Sequence, residues 1–247
     1  MEGPILELEK VHKHFGSLEV LREISLQVKE GEFVSLLGPS GSGKSTLFRL
    51  ITGLTPPDGG TIHIKQKPGK LPLAYMPQKD TLLPWKTMEE NIALPLLISG
   101  VGKKEALARV QELLPVFGLE GFAAYYPGQL SGGMKQRAAL MRTFLAGADL
   151  MLLDEPFAAV DAITRTDLQS WLLEVWQTQR RSVLFVTHSV EEAIYLSDRI
   201  YVLSGQPGSL VLDLPITLPR PRSGSDMTSP EFNQYRDVLY ATLREHR

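Results

Sequence analysis

The sequence predicts an α/β fold with a mostly parallel sheet, and three observations lead to this class. Short apolar runs recur along the chain and alternate with longer stretches whose apolar residues have helical spacing. Polar residues stand directly after several of these runs, where the carboxyl ends of parallel strands would meet at one edge of a sheet. A glycine-rich loop separates one such strand from the helix that follows it. Strands that alternate with helices in this way are typical of a parallel sheet.

The composition indicates an ordinary globular protein with one large or two small domains. The chain has 247 residues, of which 43% are hydrophobic and 22% are charged. Its formal net charge of −2 provides no basic field that could hold nucleic acid non-specifically. Because the chain has no cysteine, it has no disulfide framework and no cysteine-based zinc site. No stretch approaches the roughly 18 apolar residues of a membrane span, and no signal peptide is expected.

The N-terminal stretch predicts antiparallel strands. Residues 4–28 alternate apolar and polar positions around a turn near Gly16, as in a hairpin. Phe15 lies beside this turn, and spacing alone assigns it no role. Further strands are predicted over residues 61–65 and 73–76, on either side of a short polar loop.

The glycine-rich loop is the strongest local signal. Residues 38–46 read Gly-Pro-Ser-Gly-Ser-Gly-Lys-Ser-Thr and match the phosphate-binding pattern G-x-x-x-x-G-K-[ST] at every position. A strand predicted over residues 32–37 precedes the loop and a helix follows it, which is the context that the motif requires. The loop N–H groups and the positive end of the helix dipole form a site for polyphosphate. We expect Lys44 to reach the β- and γ-phosphates and Ser45 to coordinate Mg²⁺; the alternative is a plain Gly/Ser-rich turn.

The central part of the chain predicts helices. Thr87 begins a capping box, S/T-x-x-E, at the start of a helical stretch over residues 87–118. Pro115 is expected to kink or to end that helix. The loop before the helix is either packed or a contact surface for a partner, and its apolar residues are Leu82, Leu83 and Trp85.

The remaining elements alternate between buried strands and helices. Strands are predicted over residues 150–153, 182–187 and 199–203, and helices over residues 130–147, 163–179 and 190–197. After Gly205 a series of prolines indicates a linker. Residues 230–246 then predict a short terminal helix with its apolar residues on one face.

Three polar residues at strand ends predict the chemistry. Asp154 follows the apolar run 150–153, so a buried strand would deliver this carboxylate to Mg²⁺ beside the phosphate loop. Because side chains alternate along a strand, that of Glu155 is expected to point away from that of Asp154, and it could polarise a water for attack on the γ-phosphate. His188 ends another apolar strand, where a polar side chain has no packing role. The alternatives are a solvated turn for the acidic pair and a capped histidine for His188.

Residues 130–137, Leu-Ser-Gly-Gly-Met-Lys-Gln-Arg, predict a second anion site. Gly132 and Gly133 offer bare N–H groups at the start of a helix and Ser131 offers a hydroxyl, without the lysine of a phosphate loop. One nucleotide cannot easily use both sites if they lie on separate lobes. We infer that the second site serves a nucleotide bound to another copy, in a head-to-tail dimer.

Together these motifs resemble the ATP-binding subunit of an ATP-binding cassette (ABC) transporter over residues 4–205. The matching motifs, in family order, are the phosphate loop 38–46, Gln78 in Met-Pro-Gln, the signature 130–137, residues 150–155, Asp161 in Ala-Ala-Val-Asp, and His188. Residues 154–165 are similar to those of nitrate/sulfonate/taurine importers, although Ala-Ala-Val-Asp stands where Gly-Ala-Leu-Asp is more usual.

The resemblance implies a role for each matched residue. Glu155 is the implied general base, and Gln78, Lys44 and His188 the other implied catalytic residues. The implied ATP-binding residues are Phe15, Gly38, Pro39, Ser40, Gly41, Ser42, Gly43, Lys44, Ser45 and Thr46. The implied contacts to the ATP of the partner copy are Ser131, Gly132, Gly133 and Gln136. The implied metal ligands are Ser45, Gln78 and Asp154, and Asp161 is implied to lie at the dimer interface.

The resemblance also implies an architecture. It is a P-loop NTPase core with a mostly parallel sheet, an N-terminal antiparallel β subdomain and an inserted α-helical subdomain at about residues 86–147. The ABC ATPase domain is expected over residues 1–209. A Pro-rich linker and a short C-terminal helix are expected over residues 210–247. The implied cofactors are ATP and Mg²⁺.

The implied partners are a second copy, membrane permease subunits through the region 78–85, and indirectly an extracytoplasmic solute-binding protein, with no nucleic acid. The implied location is the cytoplasmic face of the cell membrane, as a peripheral protein. Nitrate, sulfonates, taurine, bicarbonate and thiamine-precursor pyrimidines stay open as solutes. The alternatives are a non-transport ABC ATPase that acts on nucleic acid or the ribosome, which the charge disfavours, and a small-molecule kinase, which leaves the signature unexplained.

Overall fold

The computed structural model describes residues 3–67, 69 and 71–246. The chain divides into two compact units, of which the first comprises Met1–Lys67 with Arg180–Arg247 and the second Pro68–Gln179. Each unit contains β-strands and α-helices, which confirms the α/β fold class. In the part of the chain that the structure describes, no helix has the length and apolarity to cross a bilayer.

The first unit begins with an antiparallel sheet of three strands in the order β2-β1-β4. Strand β1 (Leu6–Phe15) pairs antiparallel with β2 (Leu18–Val28) on one side and with β4 (Gly59–Ile64) on the other. Alternate residues such as Leu6 and Leu8 are buried, because successive side chains of a strand point to opposite faces. The antiparallel hairpin predicted for residues 4–28 is confirmed.

The first unit also contains a parallel group of strands that supports the phosphate loop. Strand β3 (Phe33–Leu37) lies between β7 (Ser182–Val186) and β8 (Arg199–Leu203) and is parallel to both. Every residue of β3 and β7 is buried, as expected for strands covered on both faces. Helix α1 (Lys44–Ile51) follows β3 and helix α6 (Val190–Leu196) follows β7.

The Pro-rich stretch after Gly205 corrects one prediction. Residues that were predicted to start a linker form strand β9 (Leu210–Pro215), which pairs antiparallel with β8. The prolines flank this strand rather than interrupt it, and Pro215 is its last residue, at an edge where proline is tolerated. The predicted terminal helix is confirmed as α7 (Pro230–Glu245), with Phe232 and Leu239 buried.

The described residues of the second unit form a parallel pair of strands and four α-helices. Strand β5 (Leu73–Met76) pairs with β6 (Leu150–Asp154), in which every residue is buried. The helices are α2 (Met88–Ile98), α3 (Lys103–Leu113), α4 (Gly132–Leu145) and α5 (Ala162–Gln179). Helices α2, α3 and α4 lie in the region predicted as a helical subdomain, at about residues 86–147, and α5 follows it. The bounds of the subdomain stay a prediction.

The helical stretch predicted over residues 87–118 is two helices rather than one. The capping box at Thr87 is present and begins α2. Gly100 has a φ of +91°, a left-handed conformation that favours glycine and that separates α2 from α3. Helix α3 ends at Leu113, two residues before Pro115, so this proline follows the end of the helix rather than kinking it.

Candidate functional site

The phosphate loop of the first unit has the backbone geometry that its motif requires. Gly41 and Gly43 have φ values of +84° and +89°, a region that non-glycine residues rarely adopt. Gly43 is the N-cap of α1, so the loop leads directly into the first turn of an eight-residue helix. The first N–H groups of a helix point away from it along its axis, and a helix start of this kind favours an anion.

Lys44 is buried in the loop that surrounds it. The ammonium Nζ donates to the carbonyl oxygens of Gly38 and Pro39, both at 2.8 Å, and lies 3.2 Å from Ser42 Oγ. Burial of an ammonium requires acceptors, and the loop provides them. Ser45, the predicted Mg²⁺ ligand, is exposed on the first turn of α1.

His188 and the phosphate loop lie at the same edge of the parallel strands in the first unit. The pairing of Leu36 with Val186 places the carboxyl ends of β3 and β7 side by side. His188 is exposed and stands between the end of β7 and Ser189, the N-cap of α6. The first turn of α6 is capped by a side chain, because Ser189 Oγ accepts from the N–H of Glu192 at 3.1 Å.

Phe15, the residue implied to stack on adenine, is half exposed at the end of β1. Lys13 Nζ lies 5.4 Å from the centre of the Phe15 ring, within the range of a cation–π interaction. Lys13 also donates to Asp58 Oδ1 at 2.8 Å. This hydrogen bond is the first cause that holds the pKa of Asp58 below its usual value. The Phe15 ring is therefore a partly exposed apolar surface beside the ammonium of Lys13. Sequence spacing alone assigned this ring no role.

In the second unit, the structure brings together residues from two separate motifs. Asp154 ends β6 with its side chain almost wholly buried. Glu155 follows with a φ of +51°, which is uncommon for a residue with a side chain and costs energy unless its surroundings hold it. Gln78 Nε2 donates to Glu155 Oε2 at 3.1 Å. The two predicted catalytic residues of this unit are therefore in direct contact.

Gln136 holds the turn at residues 155–159. It is buried, its Nε2 donates to the carbonyl oxygen of Glu155 at 2.7 Å, and its Oε1 accepts from the N–H of Ala159 at 2.7 Å. Both ends of the amide are therefore used within the second unit, and its contact with the ATP of a partner copy stays a prediction. Spacing within the signature gives no signal for the contact with the turn, since the turn lies far along the chain.

The other signature residues form an exposed helix start. Ser131 is the N-cap of α4, and its Oγ accepts from the N–H of Met134 at 3.3 Å. Ser131 and Gly132 are exposed, whereas Gly133 is half buried. A Cβ on Gly133 would lie 2.9 Å from the carbonyl oxygen of Ala159, so glycine permits this close approach. Helix α4 thus presents free N–H groups at a surface of the second unit.

Asp161 is exposed just before α5. Its Oδ1 accepts from the N–H of Thr164 at 3.0 Å. This backbone hydrogen bond is the first cause that lowers the pKa of Asp161. The side chain therefore remains charged at neutral pH on an open surface, near the start of a helix where negative charge is favoured.

The predicted Mg²⁺ ligands are oxygen donors, as this ion prefers. The carboxylate of Asp154 is buried at a strand end, and the hydroxyl of Ser45 and the amide of Gln78 are exposed. In the residues that the structure describes, no group of three or more His, Asp or Glu side chains is arranged to hold a metal ion.

Comparison with known proteins gives consistent matches. Residues 21–158 match the family model described as ABC transporter. The chain is 44% identical over 249 residues to the formylaminopyrimidine import ATP-binding protein ThiZ of Halalkalibacterium halodurans, which covers 99% of this chain and 96% of that protein. It is 38% identical over 252 residues to the nitrate import ATP-binding protein NrtD of a Synechocystis strain, which covers 97% of this chain and 95% of that protein.

A solved structure shares the fold. It is the dimeric post-hydrolysis state of the ATP-binding cassette MJ0796 bound to ADP and Pi. The TM-score is 0.77 at 29% sequence identity, and the match covers 87% of this chain and 100% of that chain.

Proposed function

The chain belongs to the ABC transporter family, and we propose that it is the ATP-hydrolysing subunit that energises import of a small solute through a membrane permease. The relatives named for formylaminopyrimidine and nitrate import support a solute that is a small anion or a related compound. Sulfonates, taurine and bicarbonate belong to the same proposal. Such a protein would lie at the cytoplasmic face of the membrane, bound to its permease.

One observation carries the proposal: the start of α4 is exposed and could bind an anion in addition to the phosphate loop. Ser131 and Gly132 are open to solvent, and the first backbone hydrogen bond of the helix is donated by the N–H of Lys135, so the N–H groups of Gly132 and Gly133 have no acceptor within the helix. A single-site kinase has no use for this second set of donors. Two copies in a head-to-tail dimer would use it, since the signature of each copy would contact the ATP held by the phosphate loop of the other. The dimeric form of the cassette MJ0796 supports this assembly.

Each site residue then has a chemical role in the proposal. The N–H groups of residues 38–46 and the ammonium of Lys44 bind the β- and γ-phosphates, and Phe15 stacks on adenine. Glu155 orients the attacking water and accepts its proton, with Gln78 hydrogen-bonded to the carboxylate. His188 donates to the γ-phosphate. Ser45, Gln78 and Asp154 are the residues that would hold Mg²⁺, which when bound would supply positive charge against the charge that develops on the phosphates.

Coupling to transport follows from the difference between two dimer states. Nucleotide contacts from Ser131 and Asp161 of the second copy exist only in the closed dimer, so ATP favours closure and hydrolysis permits reopening. The surface proposed to transmit this change to the permease includes Trp85, which is 71% exposed beside Pro84. Leu82, which the sequence grouped with Trp85, is buried and belongs to the core instead.

The test is import by the assembled transporter. The chain is purified with the permease encoded beside it, reconstituted in liposomes with ATP inside, and supplied with each candidate solute and a matching solute-binding protein outside. We expect ATP-dependent uptake of one solute and phosphate release that this solute stimulates. Phosphate release by the purified chain that is stimulated by single-stranded DNA or ribosomes, without uptake of any solute, would favour the non-transport alternative.

A further inference from the structure

A short segment of the first unit, Ser204–Ser209, lies against the phosphate loop although no motif includes it. The segment joins β8 to β9, and at its end Gly208 forms a parallel bridge with Leu21 of β2. The N–H of Gly208 donates to the carbonyl oxygen of Val20 at 2.9 Å, and its carbonyl oxygen accepts from the N–H of Arg22 at 2.9 Å. Gly208 is therefore fixed on both sides by backbone hydrogen bonds to a strand.

Gly208 leaves no room for a side chain beside the phosphate loop. A Cβ at this position would lie 2.0 Å from the carbonyl oxygen of Ser42 and 3.3 Å from Leu21 Cδ2. The φ of Gly208 is outside the left-handed region, so the requirement for glycine arises from space alone. Gly43 is closer still to the same strand, because a Cβ on it would lie 2.6 Å from Leu21 Cδ2. The backbone of the loop thus rests directly on Leu21 and Gly208.

This contact acts on the residues that set the direction of the loop. In a phosphate-binding loop the N–H groups point toward the anion, so carbonyl groups such as that of Ser42 point to the other side. Ser42 precedes Gly43, the N-cap of α1, and Ser42 is fully buried. A displacement of the Ser42 carbonyl would rotate the adjoining peptide and with it the N–H groups that follow.

The segment that carries Gly208 is itself held in place. Ser204 Oγ accepts from the N–H of Ser209 at 2.9 Å, and the N–H of Ser204 donates to the carbonyl oxygen of Ser209 at 2.9 Å. The N–H of Gly205 donates to the carbonyl oxygen of His246, just after α7, at 2.8 Å. The C-terminal helix is therefore connected by backbone contacts, through this segment, to the phosphate loop.

We propose that Gly208 is a positioning residue for the phosphate loop, and that Ser204–Ser209 forms the support on which the loop adopts its nucleotide-binding conformation. The inference rests on the proposed function, because it assumes that residues 38–46 bind ATP. It adds a residue outside the motifs that determines nucleotide affinity, and it gives the C-terminal tail a contact with the binding site.

The test compares two glycine-to-alanine variants of the full chain. Gly208→Ala places a methyl group against a backbone oxygen, which cannot move as a flexible side chain could. Gly224→Ala is the matched control, since a Cβ at Gly224 meets nothing within 4 Å. We expect Gly208→Ala to raise the KM for ATP and the Kd of a fluorescent ATP analogue by roughly tenfold, as overpacking of a close contact predicts, and to leave kcat at saturating ATP within about threefold.

Two outcomes would overturn the inference. One is a Kd for Gly208→Ala equal to that of Gly224→Ala, and the other is a fall in kcat or thermal stability at unchanged KM, which indicates packing alone. If the wild-type chain and Gly224→Ala also fail to bind ATP, the proposed function itself is wrong.

A second measurement on the unmodified chain applies even if Gly208→Ala does not fold. A non-hydrolysable ATP analogue should slow hydrogen exchange at the N–H of Gly208 together with that of residues 38–46, because ordering the loop orders its support. Protection of residues 38–46 without any at Gly208 would contradict the inference.

Discussion

At the scale of the residue, Glu155 combines an unusual backbone conformation with the proposed role of general base. Its positive φ is held on one side by Gln136, which bonds the backbone oxygen, and on the other by Gln78, which bonds the carboxylate. Strain of this kind persists where neighbours determine the conformation, and it is common at active sites. The carboxylate is therefore oriented by contacts within the chain.

Replacement of Glu155 tests its role as general base. Glu155→Gln keeps the size of the side chain and an oxygen that can accept from Gln78, but the amide does not accept a proton. We expect ATP hydrolysis to fall at least about 100-fold while ATP binding is retained, so that ATP and Mg²⁺ trap a dimer visible by light scattering. Glu174→Gln, an exposed change on α5, is the control. A variant that stays monomeric with ATP would count against the composite site.

Gln136 offers a separate test of orientation. Gln136→Ala removes both hydrogen bonds to the turn, so the carboxylate of Glu155 is expected to lose its fixed direction. We expect kcat to fall about tenfold or more, as small misplacements of catalytic groups do, with the KM for ATP little changed. Gln111→Ala on α3 removes an exposed glutamine and serves as the control. If Gln136 instead contacted the ATP of a partner copy, the loss would appear in ATP-dependent dimerisation.

At the scale of the element, helix α6 is held at its end by the C-terminal tail. Arg222 is buried, and its Nη1 donates to the carbonyl oxygens of Ile194, Tyr195 and Ser197 at 2.8, 3.1 and 2.6 Å. These are acceptors at a helix end that have no partner within the helix. Burial lowers the pKa of Arg222 to about 10, and the neighbouring charge of Arg220 adds to this effect. The residue remains a cation at neutral pH and so matches the negative end of the helix dipole.

Removal of this arginine should lower stability. Arg222→Met keeps an unbranched apolar stem but leaves the helix-end carbonyls buried without donors. We expect the free energy of unfolding in urea to fall by about 3 kcal/mol, since hydrogen bonds from a charged donor are lost and the acceptors stay buried. Arg244→Met, an exposed change on α7, should alter it by less than about 0.5 kcal/mol. Equal effects of the two variants would mean that the tail does not hold α6.

The loop before α2 tests coupling to the permease. Trp85→Ser changes a side chain that is mostly exposed, so the free energy of unfolding of the isolated subunit should be close to that of the wild type. Its ATPase activity should stay within about twofold of wild type. Import by the reconstituted transporter should fall strongly, because an exposed tryptophan at an interface carries much of the contact energy. Leu54→Ser, another exposed apolar residue, is the control and should leave import unchanged. A large fall in isolated ATPase activity would show that Trp85 acts within the subunit.

At the scale of the whole molecule, the proposed function requires a second copy. The family and the ATPase activity are shown by the relatives and by the dimeric cassette bound to ADP and Pi. In the proposed function, the exposed start of α4 is the part of this chain that would contact the ATP of a second copy. A nucleotide bound by the phosphate loop alone would leave those N–H groups in water.

Substitution of Ser131 separates binding from assembly. Ser131→Arg places a large cation at the exposed N-cap of α4, where it would block a close approach of the other copy. We expect a monomer in ATP and Mg²⁺, unchanged affinity for ATP, and hydrolysis reduced at least about 100-fold because the composite site cannot form. Ser225→Arg, in an exposed part of the tail, should dimerise normally. Loss of ATP affinity in Ser131→Arg would place Ser131 at the nucleotide of its own chain instead.

Several features of this protein could be predicted from local spacing in the chain. The phosphate loop at residues 38–46, the capping box at Thr87 and the buried strand before Asp154 each depend on neighbours in the chain, and the structure has these elements where they were predicted. The family followed from the order of such motifs, and the comparisons confirm it. Short-range periodicity and turn chemistry are sufficient for predictions of this kind.

Contacts between residues that are far apart in the chain could be identified only from the three-dimensional structure. Strand β9 lies in a proline-rich stretch because pairing with β8 outweighs local propensity. Gln136 reaches Glu155, Arg222 reaches the end of α6, and Gly208 supports Ser42, across separations of the chain that no spacing rule covers. The physical reason is that hydrogen bonding and close packing satisfy buried groups wherever they come together in space, and that place is set by the fold rather than by the local sequence.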